Sequence, residues 1–249
     1  MIAFEGVHFS YGKRDVLKNL SFSLRTDERV AILGGSGEGK TTILKLIMGL
    51  IRPDSGKIFI DGEDITTKSE AALRDVRLKF SIVFQEGALF DSLDVKENVA
   101  FCLREYTEMS EEEIDRKVRE LLRKVDVEQA VALMPEELSG GMHRRVAIAR
   151  SLAASEPRMF LYDEPTSGLD PVNADNICKL IIDLSQNGKG FIIVTHKVLD
   201  ALKVAGRFMF LNNGVMLLDG DREQLLHSPI PEIKVFIREL QHKEEGKYV

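Results

Sequence analysis

A glycine-rich segment, VAILGGSGEGKT at Val30–Thr41, constrains the fold of this 249-residue chain more than any other feature. An apolar run typical of a buried strand leads into it, and a helical spacing of apolar residues follows through Lys40–Leu50. Glycines allow the backbone to curl so that its N–H groups converge, and a helix start adds a favourable dipole. A strand, such a loop and a helix in this order predict an α/β unit that binds phosphate.

The loop fits the pattern G-x-x-x-x-G-K-[ST], in which the conserved side chains have chemical roles. We expect Lys40 to contact the β and γ phosphates of a nucleotide and the Thr41 hydroxyl to bind Mg²⁺. The predicted nucleotide-binding residues are Gly34, Gly35, Ser36, Gly37, Glu38, Gly39, Lys40, Thr41 and Thr42. The alternative is a glycine-rich turn with a surface lysine, which the flanking strand and helix disfavour.

Two adjacent carboxylates end a second apolar run, MFLYDEP at Met159–Pro165. Burying such charges is costly unless they meet a cation, and successive strand residues point to opposite sides. We therefore expect Asp163 to approach Mg²⁺ and Glu164 to face an attacking water as general base. On its own the pair is equally a strand end that exposes two acids to solvent, but the upstream phosphate loop favours the functional interpretation.

The remaining pattern predicts an α/β core with an antiparallel layer and a helical subdomain. Residues 2–33 alternate like antiparallel strands that lead into one buried strand. Met159–Tyr162 and Phe191–Val194 are typical of parallel strands buried on both sides. Asn213-Gly214 predicts a hairpin, and the tail from Pro229 is expected to be helical.

Composition excludes several classes of protein. Hydrophobic residues make up 44% and charged residues 30% of the chain, which is ordinary for a globular protein. A formal net charge of -6 disfavours nucleic acid as a partner. The apolar stretch Ile43–Ile51 is interrupted by Lys45 and too short to span a bilayer, so no direct membrane insertion is expected. Cys102 and Cys178 cannot build a disulfide framework, which indicates reduced thiols in the cytosol.

A third segment, LSGGMHRRVAIARSLA at Leu138–Ala153, places Ser-Gly-Gly at the head of an otherwise ordinary helix. Ser139 is positioned to cap that helix, and Gly140 and Gly141 permit close approach of the backbone. These are the parts of a second anion site that has no lysine. Taken alone, the segment is equally well interpreted as a capped helix.

Together these segments resemble the ATP-binding subunits of ABC transporters, and the resemblance covers essentially the whole chain. Leu138–Met142 resembles the signature sequence, and Ser167–Asp170 resembles the D-loop. Gln85 resembles the Q-loop glutamine, His196 the switch histidine and Tyr11 the aromatic that stacks on adenine. Without that context, each of these three residues has an ordinary structural interpretation.

The resemblance implies a P-loop NTPase fold with a RecA-like core, an N-terminal antiparallel β layer and a helical signature subdomain. The whole chain, 1–249, is then one ABC ATPase domain. Its nucleotide-binding core and antiparallel layer are expected at 1–85 and 156–228, its helical subdomain at 86–155 and a C-terminal tail at 229–249.

The resemblance also implies the chemistry, which is binding and hydrolysis of ATP with Mg²⁺. Glu164 and His196 are the implied catalytic residues. The implied Mg²⁺ ligands are Thr41, Gln85 and Asp163.

A dimer is implied as well. In the family, the signature residues bind the γ-phosphate that is held by the phosphate loop of a second subunit. Ser139, Gly140 and Gly141 would therefore complete the site of a second copy of this chain in a head-to-tail dimer.

The segment QEGALFDSLDVKENVAF, Gln85–Phe101, resembles the ATPases of Mla and Mce-associated lipid transport systems. This implies integral membrane permease subunits as partners, a phospholipid or other hydrophobic cargo, and a peripheral location on the inner face of the cell membrane. The alternatives are the ATPase of a small-solute importer, for example for an amino acid, and a soluble ABC protein that binds ribosomes or DNA. The apolar residues of this segment either form a surface that docks the permease or pack in the interior of the chain. They are Ala88, Leu89, Phe90 and Leu93.

Three residues depart from the family pattern. Glu38 stands where a small residue is usual, and we expect its side chain to point away from phosphate. Met142 lacks the amide of the commoner glutamine. Lys197 follows His196 where the family usually has aspartate, which leaves the local geometry of the switch open.

Overall fold

A four-stranded antiparallel sheet and a six-stranded, largely parallel sheet organise the chain. The computed structural model describes residues 1–153, 157–186 and 188–245, with side chains as far as Arg238. The predicted boundary at residue 156 and the end of the predicted tail, 246–249, lie outside the described residues.

The antiparallel sheet has the order β2-β1-β4-β5. Its strands are β1 (Ile2–Tyr11), β2 (Arg14–Leu24), β4 (Ser55–Ile60) and β5 (Glu63–Asp64). Ile2 and Phe4 of β1 are buried with the residue between them partly exposed, so the period-two pattern gives the sheet one apolar face. The predicted antiparallel layer is confirmed.

The second sheet has the order β10-β9-β3-β8-β7-β6, in which β10 is antiparallel to β9 and the other pairs are parallel. Its strands are β3 (Arg29–Leu33), β6 (Phe80–Val83), β7 (Met159–Asp163), β8 (Gly190–Thr195), β9 (Arg207–Asn212) and β10 (Val215–Gly220). Every residue of β7 and β8 is buried, as predicted for strands covered on both faces.

Helices surround the parallel sheet. They are α1 (Lys40–Ile47), α2 (Glu70–Arg77), α3 (Val95–Tyr106), α4 (Glu111–Lys124), α5 (Gly140–Ala153), α6 (Pro171–Leu184), α7 (Val198–Val204), α8 (Arg222–Leu226) and α9 (Pro231–Glu245). Across the described part of the chain, each helix is too short or too polar to cross a membrane.

Alternate residues of β3 supply two apolar cores on the two faces of the parallel sheet. Val30 and Ile32 pack with α1 and the antiparallel sheet, whereas Ala31 and Leu33 pack with α3 through α7. The segment between β6 and β7 contributes α3, α4 and α5 to the second core, so the predicted helical region lies against the sheet rather than apart from it.

The sequence analysis misplaced the end of one helix and missed another. The helix after the phosphate loop ends at Ile47, because Gly49 turns the backbone into the left-handed region at φ 59°. Leu50, predicted on the buried face, is consequently 47% exposed. Helix α2 was not predicted; it is short and largely polar, and only Leu73 and Val76 of its eight residues are buried.

Candidate active site

Strands of the parallel sheet end at a common edge, and this edge carries most of the predicted site residues. Leu33 of β3 pairs with Thr195 of β8, and Asp163 of β7 pairs with Val194 of β8. The phosphate loop, the two acids and the switch histidine therefore leave the sheet side by side. A cavity of about 350 Å³, the nucleotide cavity, lies there and is lined by Tyr11, Arg14, Val16, Ser36, Gly37, Gly39, Lys40, Thr41, Thr42, Gln85 and Glu164.

The phosphate loop folds around the Lys40 ammonium. Lys40 Nζ donates to the carbonyl oxygens of Gly34 at 3.0 Å and Gly35 at 2.8 Å. Burial lowers the pKa of Lys40, and the carboxylate of Glu164 opposes that shift. Gly39 precedes α1 in the left-handed region at φ 104° and provides no side-chain cap. The N–H groups at the start of α1 therefore have no side-chain acceptor and can bind an anion. The nearly buried Lys40 ammonium beside them also favours an anion.

Glu38 points away from the nucleotide cavity, as expected from its position in the loop. Its carboxylate accepts a hydrogen bond from the backbone N–H of Asn213 in the turn between β9 and β10, and Glu38 is absent from the residues that line the cavity. An acidic residue is therefore compatible with phosphate here, because its carboxylate is held by Asn213 away from the cavity.

Thr41, Asp163 and Gln85 offer oxygen ligands close to the loop. Thr41 Oγ1 donates to Asp163 Oδ1 at 2.9 Å, so the two oxygens are adjacent. Burial raises the pKa of Asp163, and the hydrogen bond from Thr41 opposes the rise. A buried carboxylate beside a hydroxyl fits a hard cation such as Mg²⁺, since a cation would offset the desolvation of Asp163. Gln85 follows β6, is exposed and lines the same cavity.

Glu164 and His196 form one hydrogen-bonded unit. The carboxylate of Glu164 is 3.1 Å from the Thr195 hydroxyl and the His196 backbone nitrogen, both donors, and 2.9 Å from His196 Nδ1. Lys40 Nζ lies 3.7 Å from Glu164 Oε1. Glu164 is 7% exposed, yet it lines the nucleotide cavity. The carboxylate is thereby held at the cavity wall, within reach of a molecule bound in the cavity.

The open side of the cavity includes one predicted and one unpredicted residue. Tyr11 is 50% exposed, and its ring is nearly perpendicular to that of Phe9 with ring centroids 4.8 Å apart, so half of its surface is open to a ligand in the cavity. Arg14 was missed in the sequence; its Nη2 donates to the Gly37 carbonyl at 3.3 Å. The sequence signal for Arg14 is weak: it is one of two consecutive basic residues shortly after Tyr11.

The signature residues lie outside the nucleotide cavity of their own chain. Ser139 Oγ accepts the backbone N–H of Met142 at 3.3 Å, which confirms the predicted cap of α5. A Cβ at Gly141 would come within 2.7 Å of Asn173 Oδ1 in α6, so the helix start packs closely on the segment after the D-loop. Ser139 and Gly140 are exposed.

Two arginines of α5 hold the segment that follows Gln85. Arg144 Nη1 donates to the carbonyl oxygen of Phe84 at 3.0 Å and also bonds the Gln85 carbonyl. Arg150 donates to the Ala88 carbonyl. Both side chains are paired, and their partners are backbone atoms that only the tertiary fold brings near.

Comparison with known proteins agrees with this geometry. The ABC transporter family model matches residues 17–167. The intermembrane phospholipid transport system ATP-binding protein MlaF of Escherichia coli (strain K12) is 38% identical over 238 residues, which are 95% of this chain and 88% of MlaF. The probable ribonucleotide transport ATP-binding protein mkl of Mycobacterium leprae (strain TN) is also 38% identical, over 95% of this chain and 68% of its own length.

A solved structure shows the same fold. The dimeric structure of a post-hydrolysis state of the ATP-binding cassette MJ0796 bound to ADP and Pi superposes with a TM-score of 0.82 and 32% identity, over 89% of this chain and 98% of the cassette. The predicted α/β ATPase fold is confirmed by this likeness. With the family model and the MlaF relationship, it shows that the chain belongs to the ABC transporter family of ATP-binding proteins and is an ATPase of that family.

Proposed function

We propose that this chain is the ATP-hydrolysing subunit of an ABC transporter whose membrane permease moves phospholipid or another hydrophobic substrate. In this proposal the whole chain is one ABC ATPase domain, it works on the inner face of the cell membrane, and it dimerises head to tail. The observation that carries the catalytic part is the placement of Glu164, bonded to Thr195 and His196, at the wall of the cavity that also holds Lys40.

The residues of the cavity divide the reaction between them. Lys40 moves from the Gly34 and Gly35 carbonyls to the phosphates of ATP, where the loop and the start of α1 hold them. Glu164 accepts the proton of the attacking water, and His196 keeps that carboxylate in place. Positioning and electrostatics supply most of the catalysis in such a site.

Mg²⁺ belongs to the same proposal. Thr41 and Asp163 would hold it, together with Gln85, because their oxygens lie at the phosphate loop and Asp163 is a nearly buried carboxylate. When bound, the ion neutralises charge that develops on the transferred phosphoryl group.

A second copy of the chain would complete each site. Ser139, Gly140 and Gly141 start a capped helix, and neither they nor their neighbours line the nucleotide cavity of the same chain. An N-terminal helix end with exposed residues suits the phosphates of another subunit. The head-to-tail pairing also fits the dimeric state of MJ0796.

The permease is proposed to dock beside the segment that follows Gln85. A groove of about 580 Å³ lies between α2, α3, α5 and this segment, with Ala88, Cys102 and Tyr106 among its lining residues. Leu89 packs against the core, whereas Phe90 is 38% exposed at the surface. The apolar segment thus divides, with Leu89 internal and Phe90 available to a partner.

The cargo is proposed from the names of two relatives. The name of MlaF points to phospholipid, and that of mkl points to ribonucleotide at the same level of identity, which favours a small polar solute as the second candidate. Purifying the chain with its permease from membranes and identifying the bound molecule by mass spectrometry decides between the two. Co-purified phospholipid is expected; a bound nucleotide-like solute without lipid would replace the lipid proposal.

Replacing Glu164 by Gln tests the catalytic part. The Gln side chain keeps the shape and loses the basic oxygen, so ATP binding should persist while hydrolysis slows by roughly 10²–10⁴-fold. Binding is measured with a fluorescent ATP analogue and hydrolysis by phosphate release. A Glu164→Gln chain that turns over ATP at the normal rate would remove Glu164 as the base.

A further inference from the structure

Lys197 takes a position where the family usually has aspartate, and its ammonium has a defined partner. Lys197 Nζ donates to the carbonyl oxygen of Thr166 at 2.6 Å. Its backbone N–H donates to Thr195 Oγ1 at 3.0 Å. Both hydrogen bonds are close to Glu164. The side-chain bond is made to the turn that carries Glu164, and the backbone bond is made to the Thr195 hydroxyl, which itself bonds the Glu164 carboxylate.

The turn after β7 needs such support. Glu164 lies in the left-handed region at φ 47°, where a residue with a Cβ is strained and stays only if its surroundings hold it. The Ser167 N–H donates to the Glu164 carbonyl at 3.1 Å, and the Leu169 N–H donates to the Thr166 carbonyl at 3.3 Å. Two overlapping turns therefore follow β7, one at 164–167 closed by the Glu164 carbonyl and one at 166–169 closed by the Thr166 carbonyl. Lys197 adds a second, charged donor to the Thr166 carbonyl.

Two buried groups fix the other side of the turn. Thr166 is 0% exposed, and its hydroxyl donates to Asp200 Oδ2 at 2.7 Å. Thr195 Oγ1 accepts the N–H of Lys197, which leaves the proton of Thr195 for Glu164 Oε2 at 3.1 Å. Lys197 thus bonds two residues that hold Glu164 in place. Its backbone bonds Thr195, and its side chain bonds Thr166.

We propose that Lys197 is a positioning residue for hydrolysis, whose ammonium clamps the 164–169 turn so that the Glu164 carboxylate stays at the cavity wall. This inference rests on the proposed role of Glu164 as general base. A charged donor makes a stronger hydrogen bond to a carbonyl than a neutral one does. Lys197 is not among the residues that line the nucleotide cavity, so it acts through Glu164 and not on ATP directly.

Replacing Lys197 by Met removes the ammonium and keeps most of the stem, while the backbone bond to Thr195 remains. The kcat for ATP hydrolysis should fall roughly 10- to 100-fold, since a small displacement of a reacting group has that effect. The KM for ATP should stay within about twofold of wild type, because ground-state binding is untouched. Lys197→Arg should restore most of the kcat, since a guanidinium also donates to a carbonyl.

The matched control is Lys179→Met on α6, where the side chain is 68% exposed and pairs only with Asp175 among the ion pairs of the described residues. Its kcat should equal that of wild type. Thermal unfolding of all variants separates positioning from folding. A Lys197→Met chain with wild-type kcat overturns the inference, and so does one whose kcat loss is not restored by Lys197→Arg. Lys197→Ala serves as a second variant if the Met variant does not fold.

A double-mutant cycle with Glu164→Gln gives the decisive readout. If Lys197 acts through Glu164, adding Lys197→Met to Glu164→Gln should leave the residual single-turnover rate unchanged. A further loss equal to that seen in the wild-type background would overturn the inference. Normal hydrolysis by Glu164→Gln alone would instead reject the proposed base, so the two failures are distinguishable.

Discussion

Phe90 has the environment of a contact residue rather than of a core residue. Its ring lies 4.9 Å from the ring of Phe101, which is 44% exposed, and the Arg150 guanidinium lies 4.3 Å from the Phe90 centroid. Buried Asn98 fixes the backbone here, because it bonds both the N–H and the carbonyl of Phe90. The backbone is therefore held independently of the Phe90 ring, and the ring, although it contacts Phe101 and Arg150, is 38% exposed to a partner.

Replacing Phe90 by Glu should weaken binding to the permease by about 2–4 kcal/mol, the usual effect of losing an apolar anchor. ATP binding by the chain should remain normal. Affinity for the detergent-solubilised permease is measured by biolayer interferometry. Val215→Glu, at a similarly exposed apolar residue of β10, is the control and should bind like wild type. Loss of folding in Phe90→Glu, or unchanged permease affinity, would place the docking surface elsewhere.

Three site residues were predicted from their chemistry and their place beside an apolar run: Lys40, Asp163 and Glu164. The structure gathers them at one edge of the parallel sheet, where Lys40 Nζ lies 3.7 Å from Glu164 Oε1. Arg14 and Arg144 could not be identified in the same way. Their partners are the carbonyl oxygens of distant loops, and a sequence does not show which loops become neighbours.

At the scale of elements, the turn between β4 and β5 joins the two sheets through Asp61. The Asp61 carboxylate accepts hydrogen bonds from the N-terminal ammonium at 2.8 Å, Lys79 at 2.9 Å and Arg158 at 3.2 Å. Lys79 and Arg158 precede β6 and β7, so the antiparallel sheet is tied to the edge of the parallel sheet. The pKa of Asp61 is lowered to about 2. The hydrogen bond from the N-terminal ammonium has the largest effect, and that from Lys79 has the next largest.

Asp61 should therefore stabilise the fold in a pH-dependent way. Its folded pKa lies below the ordinary 3.8, so the unfolded chain binds more protons and the stabilisation is present above pH 3.8 and lost as the pH falls towards 2. Asp61→Asn should lower the free energy of unfolding by about 1–2 kcal/mol at pH 7. The difference from wild type, measured by urea unfolding, should shrink between pH 5 and pH 2.5.

Asp126→Asn is the matched control for this prediction. Both aspartates lie in the left-handed region, at φ 53° for Asp61 and 56° for Asp126, where Asn is tolerated. The Asp126 side chain is 90% exposed, so its replacement should change stability little at either pH. An Asp61→Asn effect that does not depend on pH would show that the turn, and not the ion pairs, is responsible.

Helix caps and tight turns were predicted well, because the residues that form them interact with their own neighbours in the sequence. The segment Ser110-Glu111-Glu112-Glu113 has the sequence pattern of a capping box, and Ser110 and Glu113 form one. Asn213-Gly214 turns the predicted hairpin with both residues at positive φ. The order of the strands in the sheet was not predictable, because β3 lies between β8 and β9, which come from the far end of the chain. Such pairing depends on long-range packing, and local periodicity carries no information about it.

On the scale of the whole molecule, the phosphate loop and the signature helix adjoin different hydrophobic cores of the chain. The phosphate loop joins β3 to α1, and α1 packs in the core that contains the antiparallel sheet. The signature helix α5 packs in the other core, with α3 and α4. In the proposed arrangement each chain presents two half-sites on different structural units, and the head-to-tail dimer joins the loop of one chain to the signature helix of its partner.

Mixing damaged subunits tests this arrangement. Lys40→Ala and Ser139→Ala chains are each expected to hydrolyse ATP poorly. A mixed dimer of the two would have one doubly damaged site and one undamaged site. Equal mixing forms mixed dimers as about half of the population, so activity should recover to about one quarter of wild type if the two sites work independently in a symmetric dimer. Phosphate release is measured after the subunits have exchanged, and mixed dimers are verified by co-purification through two different tags.

A second mixture provides the control, because Lys40 and Glu164 line the same cavity. In a mixed dimer of Lys40→Ala and Glu164→Gln chains, each site contains one damaged half, so activity should not recover. Recovery in the first mixture and none in the second is the result that a site shared between subunits requires. Absence of recovery in the first mixture, with mixed dimers verified, would contradict two independently working shared sites, and equal recovery in both mixtures would show that Lys40 and Glu164 serve different sites.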